Sequence, residues 1–355
     1  MTTGVTEIVS RVAGPSHFRT WVRDFEVPDN RKAVWQVVNT FVPFVGLWIL
    51  IFFSMGVSWW LVSLLAMLAG VLLLRIFVIF HDCGHGVFFS TLRANDLMGF
   101  LCGVLVLTPY RQWHRDHADH HAKAGNLDGR GPGEVWTMTV DEFLQAPDWK
   151  KRLYRLWRNP FFLFGCVPTL FFVFAQRLPM RTSSLRLKQS VWLMNAAVAT
   201  QALLLMLVFG VVPYLFIQVI VIAVAGGAGF WLFYVQHQFE SVCWERGDDW
   251  DYTAAALRGS SFYELPRVLQ WCTGNIGFHH VHHFFPRIPN YHLEQCHLSL
   301  PLFKEVPVVT LAASLRTVKL KLWDESSRRL VRFCDLDGLT YQNGHQGDAV
   351  VLDDS

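Results

Sequence analysis

Three short stretches of this chain gather histidines at spacings that suit a metal ion. HDCGH supplies His81 and His85, HADHH supplies His117, His120 and His121, and HHVHH supplies His279, His282 and His283. On a helix, residues three or four apart share a face with Cβ atoms about 5–6 Å apart, so each stretch can offer two or three imidazoles toward one metal region. With 15 histidines among 355 residues, a given H-x-x-H-H pattern arises by chance roughly once in 10⁴ positions, and two in one chain are far rarer. A set of merely solvated imidazoles is therefore the weaker explanation. Imidazole ligands alone suit zinc, copper, iron and nickel about equally. The eight box histidines, with His237 in VQHQFE as a further candidate, are too many for one tetrahedral zinc and suit two metals of higher coordination.

The elements that must position these residues are membrane helices. Hydrophobic residues make up 52% of the chain and charged ones 17%, and the mean hydropathy is +0.28, whereas soluble domains run nearer a quarter charged. Four stretches, roughly 33–55, 58–80, 191–211 and 213–235, are apolar over the ~20 residues needed to cross a bilayer core. They form two hairpins with short uncharged turns near Gly56 and Gly210. Arg31 and Lys32 precede the first span, and Arg181, Arg186 and Lys188 precede the third. By the positive-inside rule, both termini and the middle loop then lie in the cytoplasm.

The run 97–108 is too short to span. The run 161–176 is basic on both sides, with Lys150, Lys151, Arg152, Arg155 and Arg158 before it and Arg177 and Arg181 after it, so it is expected to lie along the membrane and return. Were it to cross, the first two boxes and the third would face opposite sides. The expected fold class is an all-α membrane protein, with four transmembrane helices in two hairpins and a cytoplasmic helical cap that carries the histidines. Residues 1–32 form a cytoplasmic N-terminal segment and 33–300 the main domain. Residues 301–355 form a C-terminal segment in which Leu311, Leu315, Val318 and Leu322 predict an amphipathic helix over 307–332, followed by an acidic, loosely ordered tail. The net charge of +3 is dispersed and gives no nucleic-acid footprint. Seven scattered cysteines without a CxxC argue for a reducing compartment rather than a disulfide framework, and the first 30 residues lack a signal-peptide core.

Together the boxes resemble the signature of the integral-membrane fatty acid desaturases, H-x-x-x-H, H-x-x-H-H and H-x-x-H-H around two irons. The resemblance covers roughly 33–300. WHRDHADHHAKAGNLDGRG, GNIGFHHVHHFFPRIPNYHL and QHQFE are similar to the acyl-lipid, omega-6 type branch. The resemblance implies that His81, His85, His117, His120, His121, His237, His279, His282 and His283 hold a di-iron centre. It also implies O₂ as co-substrate, a membrane-lipid acyl chain as substrate and a new double bond as product. An unactivated methylene has no acidic proton and no leaving group, so side-chain acid–base or nucleophilic chemistry has nothing to act on. A strong oxidant is needed. Dioxygen takes four electrons to become water, the substrate gives two, and a redox partner must give the rest. The chain shows no dinucleotide, flavin or haem-binding motif, so an external donor is implied, a ferredoxin or a b-type cytochrome by the same resemblance.

Ligating imidazoles normally donate their second N–H to a carboxylate, carbonyl or water. Candidates by nearness in sequence are Asp82, His114, Asp116, Asp119, Asp128, Glu240, Asn275 and His280. His17, His292, His297 and His345 read as structural. Arg75, near the end of the second span, reads as a snorkelling anchor. Gly226, Gly227 and Gly229 read as small-residue packing between helices. Two other readings compete. A sister oxygenase with the same ligands would hydroxylate an acyl chain, or hydroxylate or ketolate a carotenoid. A metal transporter would need ionisable residues at mid-bilayer, and the four spans are almost bare of them.

Overall fold

The computed structural model describes residues 20–131 and 133–336. His17, His345 and the acidic tail from Asp337 onward lie outside the described residues. Four long helices form the membrane part: α1 (Asn30–Ser54), α2 (Trp59–Gly84), α8 (Leu185–Phe209) and α9 (Val211–His237). Each is apolar and long enough to cross a bilayer. Their ends follow from local chemistry. Asp29 accepts from the Arg31 and Lys32 amides at the start of α1, and Ser184 caps α8 through the Leu187 amide. At the turn from α8 to α9, Gly210 sits at φ 84°, a left-handed conformation that suits glycine.

Between the hairpins run α3 (Leu92–Leu105), α4 (Tyr110–Lys123), α5 (Val140–Gln145), α6 (Asp148–Trp157) and α7 (Val167–Val173), the last preceded by a π-helical turn at Phe162–Cys166. The α3–α4 pair bends by 100°, and the chain from α6 into Phe162–Arg177 bends by 63°. After α9 come α10 (Tyr252–Arg258), α11 (Arg267–Cys272), α12 (His279–Phe284), α13 (Asn290–Ser299) and α14 (Leu311–Thr317). Short strands add to this helical cap. In one sheet β4 (Leu322–Asp324) lies between β1 (Met138–Thr139), parallel to it, and β5 (Arg329–Val331), antiparallel to it. In the other, β2 (Phe262–Glu264) and β3 (Val308–Thr310) pair in parallel.

The spans pack tightly where the sequence removes side chains. A Cβ on Gly70 of α2 would lie 2.7 Å from Val224 Cβ and 2.9 Å from the Val221 carbonyl of α9. A Cβ on Gly227 would lie 2.8 Å from the Phe164 carbonyl, and one on Gly226 2.9 Å from Pro168 Cβ. Gly226 and Gly227 therefore let the 162–173 segment lie against α9, which fits the packing expectation. One apolar core joins the four spans and another fills the cap.

Two expectations change. The amphipathic helix expected over 307–332 is only α14. The chain then turns into β4 and β5, because Leu322, Trp323, Leu330 and Val331 are buried in the cap and Asp324 accepts from Ser326 and Ser327 to form the hairpin turn. Arg75 does not snorkel. It is buried, its Nε donates to Thr40 Oγ1 at 3.0 Å, its guanidinium donates to the Trp271 carbonyl, and it lies 4.1 Å over the Trp271 ring. A guanidinium with internal acceptors has no reason to extend to the interface.

Candidate metal centre

The first box closes α2, the second lies on α4, His237 ends α9, and α12 consists of the third box. All four elements meet where α2 and α9 enter the cap. There the imidazoles form two sets: His81, His85, His117, His121 and His282 in one, and His120, His237, His279 and His283 in the other, each with potential ligand atoms within 4.8 Å of one another. All three boxes thus meet at one end of α2 and α9.

The second and third boxes do not each serve one set. Successive helical residues point about 100° apart, so His120 and His121 diverge, as do His282 and His283. Each H-x-x-H-H gives its i,i+4 pair to one set and its middle histidine to the other, and the two exchanges are reciprocal. The sets touch where the His121 and His283 rings lie 4.3 Å apart at 27°.

The ring nitrogens converge. His121 Nε2 lies 2.8 Å from His282 Nε2 and 3.1 Å from His117 Nε2. In the second set His279 Nε2 lies 2.9 Å from His237 Nε2 and 3.1 Å from His283 Nε2. His81 Nε2, His85 Nε2 and both nitrogens of His120 are buried with no hydrogen-bond partner in the protein. Burial first, and neighbouring imidazoles second, hold His85, His282 and His283 well below the ordinary imidazole range. They are neutral, with a lone pair to offer. Lone pairs aimed at shared points, those of His81, His85 and His120 unpaired within the protein, fit a metal at each set.

Outer contacts fix several rings. His81 Nδ1 lies 3.0 Å from Asp82 Oδ1, while Asp82 Oδ2 accepts from the backbone and side-chain amides of Asn290 at 2.6 and 2.8 Å. His237 Nδ1 lies 3.0 Å from the Gly259 carbonyl, which leaves Nε2 for the cluster. Trp113 stacks on His117 at 4.4 Å and 16°, and Phe233 packs against both His120 and His237. Sequence reasoning found Asp82 but missed Asn290, Gly259, Trp113 and Phe233. The Trp113 signal was available, because it precedes His117 by four residues on one helix.

The remaining expected partners lie elsewhere. Asp128 binds Arg246 at 2.6 Å and the Gly247 amide at 2.9 Å, away from the histidines. Glu240 and His114 are exposed. Asp116 and Asp119 pair with Arg115 and Lys123. Asn275 donates to the Asn290 carbonyl, one step behind Asp82. His280 points away from both sets to His297, 2.9 Å between ring nitrogens, and packs on Phe262 and Phe303. His292 bonds to the Phe25 carbonyl, in keeping with a structural role. All seven cysteines are unpaired.

Comparison with known proteins now bears on this geometry. The family model described as "Fatty acid desaturase" matches residues 58–309. The chain belongs to the fatty acid desaturase family. A "Fatty acid desaturase" of Bacillus subtilis is 44% identical over 88% of this chain and 89% of its own length. An "sn-1 acyl-lipid omega-3 desaturase (ferredoxin)" of Synechocystis sp. is 27% identical over 67% of each chain. An "sn-1 oleoyl-lipid 12-desaturase" of Synechocystis sp. is 26% identical over 68% of this chain and 69% of that one. The desaturase described here is thus an oxidoreductase built on four membrane helices, with its histidines gathered where those helices meet the cap.

Proposed function

We propose that the two histidine sets hold two iron ions and that the enzyme introduces a double bond, of the omega-6 (Δ12) type, into acyl chains of membrane lipids. The carrying observation is the convergence of nine imidazoles, seven of them buried, into a five-ligand and a four-ligand set. When bound there, two irons would supply the O₂-derived oxidant that breaking two unactivated C–H bonds requires. The balance is one O₂, two electrons, two protons and one CH₂–CH₂ unit, giving CH=CH and two waters. Two relatives are named for acyl-lipid or oleoyl-lipid substrates and one of them for ferredoxin, which supports a lipid substrate and a ferredoxin-type donor here; a b-type cytochrome is the other donor proposed.

The chain's own residues supply position and dryness. Asp82 and the Gly259 carbonyl set the tautomers of His81 and His237, and Trp113 and Phe233 wall the two sets with apolar rings that exclude water from a reactive centre. The basic flanks of the spans support a cytoplasmic position for both termini and the boxes.

The test is expression in a host that lacks polyunsaturated lipids, with mass spectrometry of the fatty acids and iron analysis of the purified protein. The expected result is a product lighter by two hydrogens, with its double bond at the omega-6 position and two irons per chain. Oxygen gain in the product, or protein without iron, would overturn the proposal. Labelling of single cysteines at positions 85 and 283 from the two sides of the membrane tests the orientation.

A further inference from the structure

In the four-histidine set the outer support that His237 has is missing at His120, and also at His279, whose Nδ1 is buried without a partner. His81 has Asp82 and His237 has the Gly259 carbonyl, yet His120 has no hydrogen-bond partner on either ring nitrogen although both are buried. Only one of those nitrogens can face a metal. The other carries a proton, and a buried N–H without an acceptor costs about 1–3 kcal/mol.

A cavity of about 10 Å³ lies against this ring, which is room for about one water. Its lining includes His120, His237, Phe233, Gln238 and Glu134. Gln238 is already committed, its carbonyl accepting from Arg158 and its amide donating to Thr137. Phe233 offers no acceptor. Glu134 is different: its Oε2 is shut off from solvent and has no hydrogen-bond partner. The loop that carries it runs beside His120, since a Cβ on Gly133 would lie 3.7 Å from His120 Cβ. An orphaned donor and an orphaned acceptor therefore border one space of one-water size.

Resting on the metal reading above, we propose that Glu134 is a positioning residue that fixes the His120 ring through a single bridging water, as Asp82 fixes His81 directly. The two metals would then each have one carboxylate behind one imidazole. Burial raises the Glu134 carboxyl to about 8, partly offset by Arg130, so the group gains from a nearby positive centre.

The test is chelator competition on the purified full-length protein loaded with Co(II), with the visible spectrum as second readout. E134L should weaken retention of one of two metal equivalents by about 10- to 100-fold, the usual cost of removing such a support, and should shift the Co(II) bands of that equivalent. E134Q, which keeps an acceptor, should stay within about threefold of the parent. D82N should weaken the other equivalent, so that the two losses are separable in the double variant. E134L retaining both equivalents as tightly as the parent, with an unchanged spectrum, would overturn the proposal while leaving the metal reading intact. A parent protein binding fewer than two metals would instead overturn the metal reading itself. Should E134L not fold, E134A, which leaves space for extra water, decides by the same two readouts.

Discussion

Asp82 uses one carboxylate oxygen for His81 and the other for two amides of Asn290, so its replacement disturbs a ligand and its mount together. D82N should lower metal affinity at the five-histidine set by about 10- to 100-fold with little change in the other set, as read by chelator titration with metal analysis. D128N is the contrasting case. Its ion pair with Arg246 is exposed, such pairs contribute about 0–1 kcal/mol, and both metal equivalents should titrate as in the parent. The same contrast shows what the sequence could reveal. The box histidines announce themselves because ligands on one helix recur at helical spacing, and Asp82 was found because it adjoins His81. Asn290, 208 residues away from Asp82, and Gly259 behind His237 are set by folding alone. Nearness in sequence misled for Asp128 and Glu240, whose loops leave the site within a few residues.

At the scale of elements, the spans were legible because an apolar run of about 20 residues has few other solutions. Their mutual approach was less so. At Gly70, α2 lies close against α9, and a side chain there meets backbone as well as Val224. G70V should cost about 1–3 kcal/mol through overpacking, seen as a lower melting temperature in detergent. G46A should be neutral or slightly stabilising, because nothing lies within 4 Å of a Cβ at Gly46 and alanine favours a helix interior by up to about 1 kcal/mol. The helical pattern over 307–332 failed for a related reason. Leu322 belongs to a strand whose partners, Met138 and Val331, include one from far along the chain. Residues four apart suggest one helical face only when the chain continues as a helix, and here the Asp324 turn intervenes. Arg75 likewise looked like an anchor because its depth is visible in the sequence, whereas its acceptors on α1 and α11 are not.

For the whole molecule, the site is a knot of four elements, α2, α4, α9 and α12, held by groups whose protonation differs between folded and unfolded chains. His85, His282 and His283 are pushed well below 6.5 by burial and by neighbouring imidazoles. The groups facing them are His81, His117, His120, His121, His237 and His279, with His114 near His85 and Asp82 behind His81. At a pH of about 8 both folded and unfolded forms of these histidines are neutral and add nothing to pH dependence. As pH falls through the unfolded value of 6.5, the unfolded chain binds protons that the folded chain refuses. Each such histidine then removes about 1.4 kcal/mol of stability per pH unit until the folded values are reached. Metal binding acts in the same direction, because protons compete for the same lone pairs. Chelator-stripped protein should therefore melt at a constant temperature above about pH 7 and progressively lower below it. The metal-loaded form should start higher, by roughly 2.7 kcal/mol for a metal held at 100 times its dissociation constant, and converge on the stripped form as acid displaces the metals. Melting curves that stay parallel down to about pH 5 would show that the imidazoles are not the groups that couple this fold to its metals.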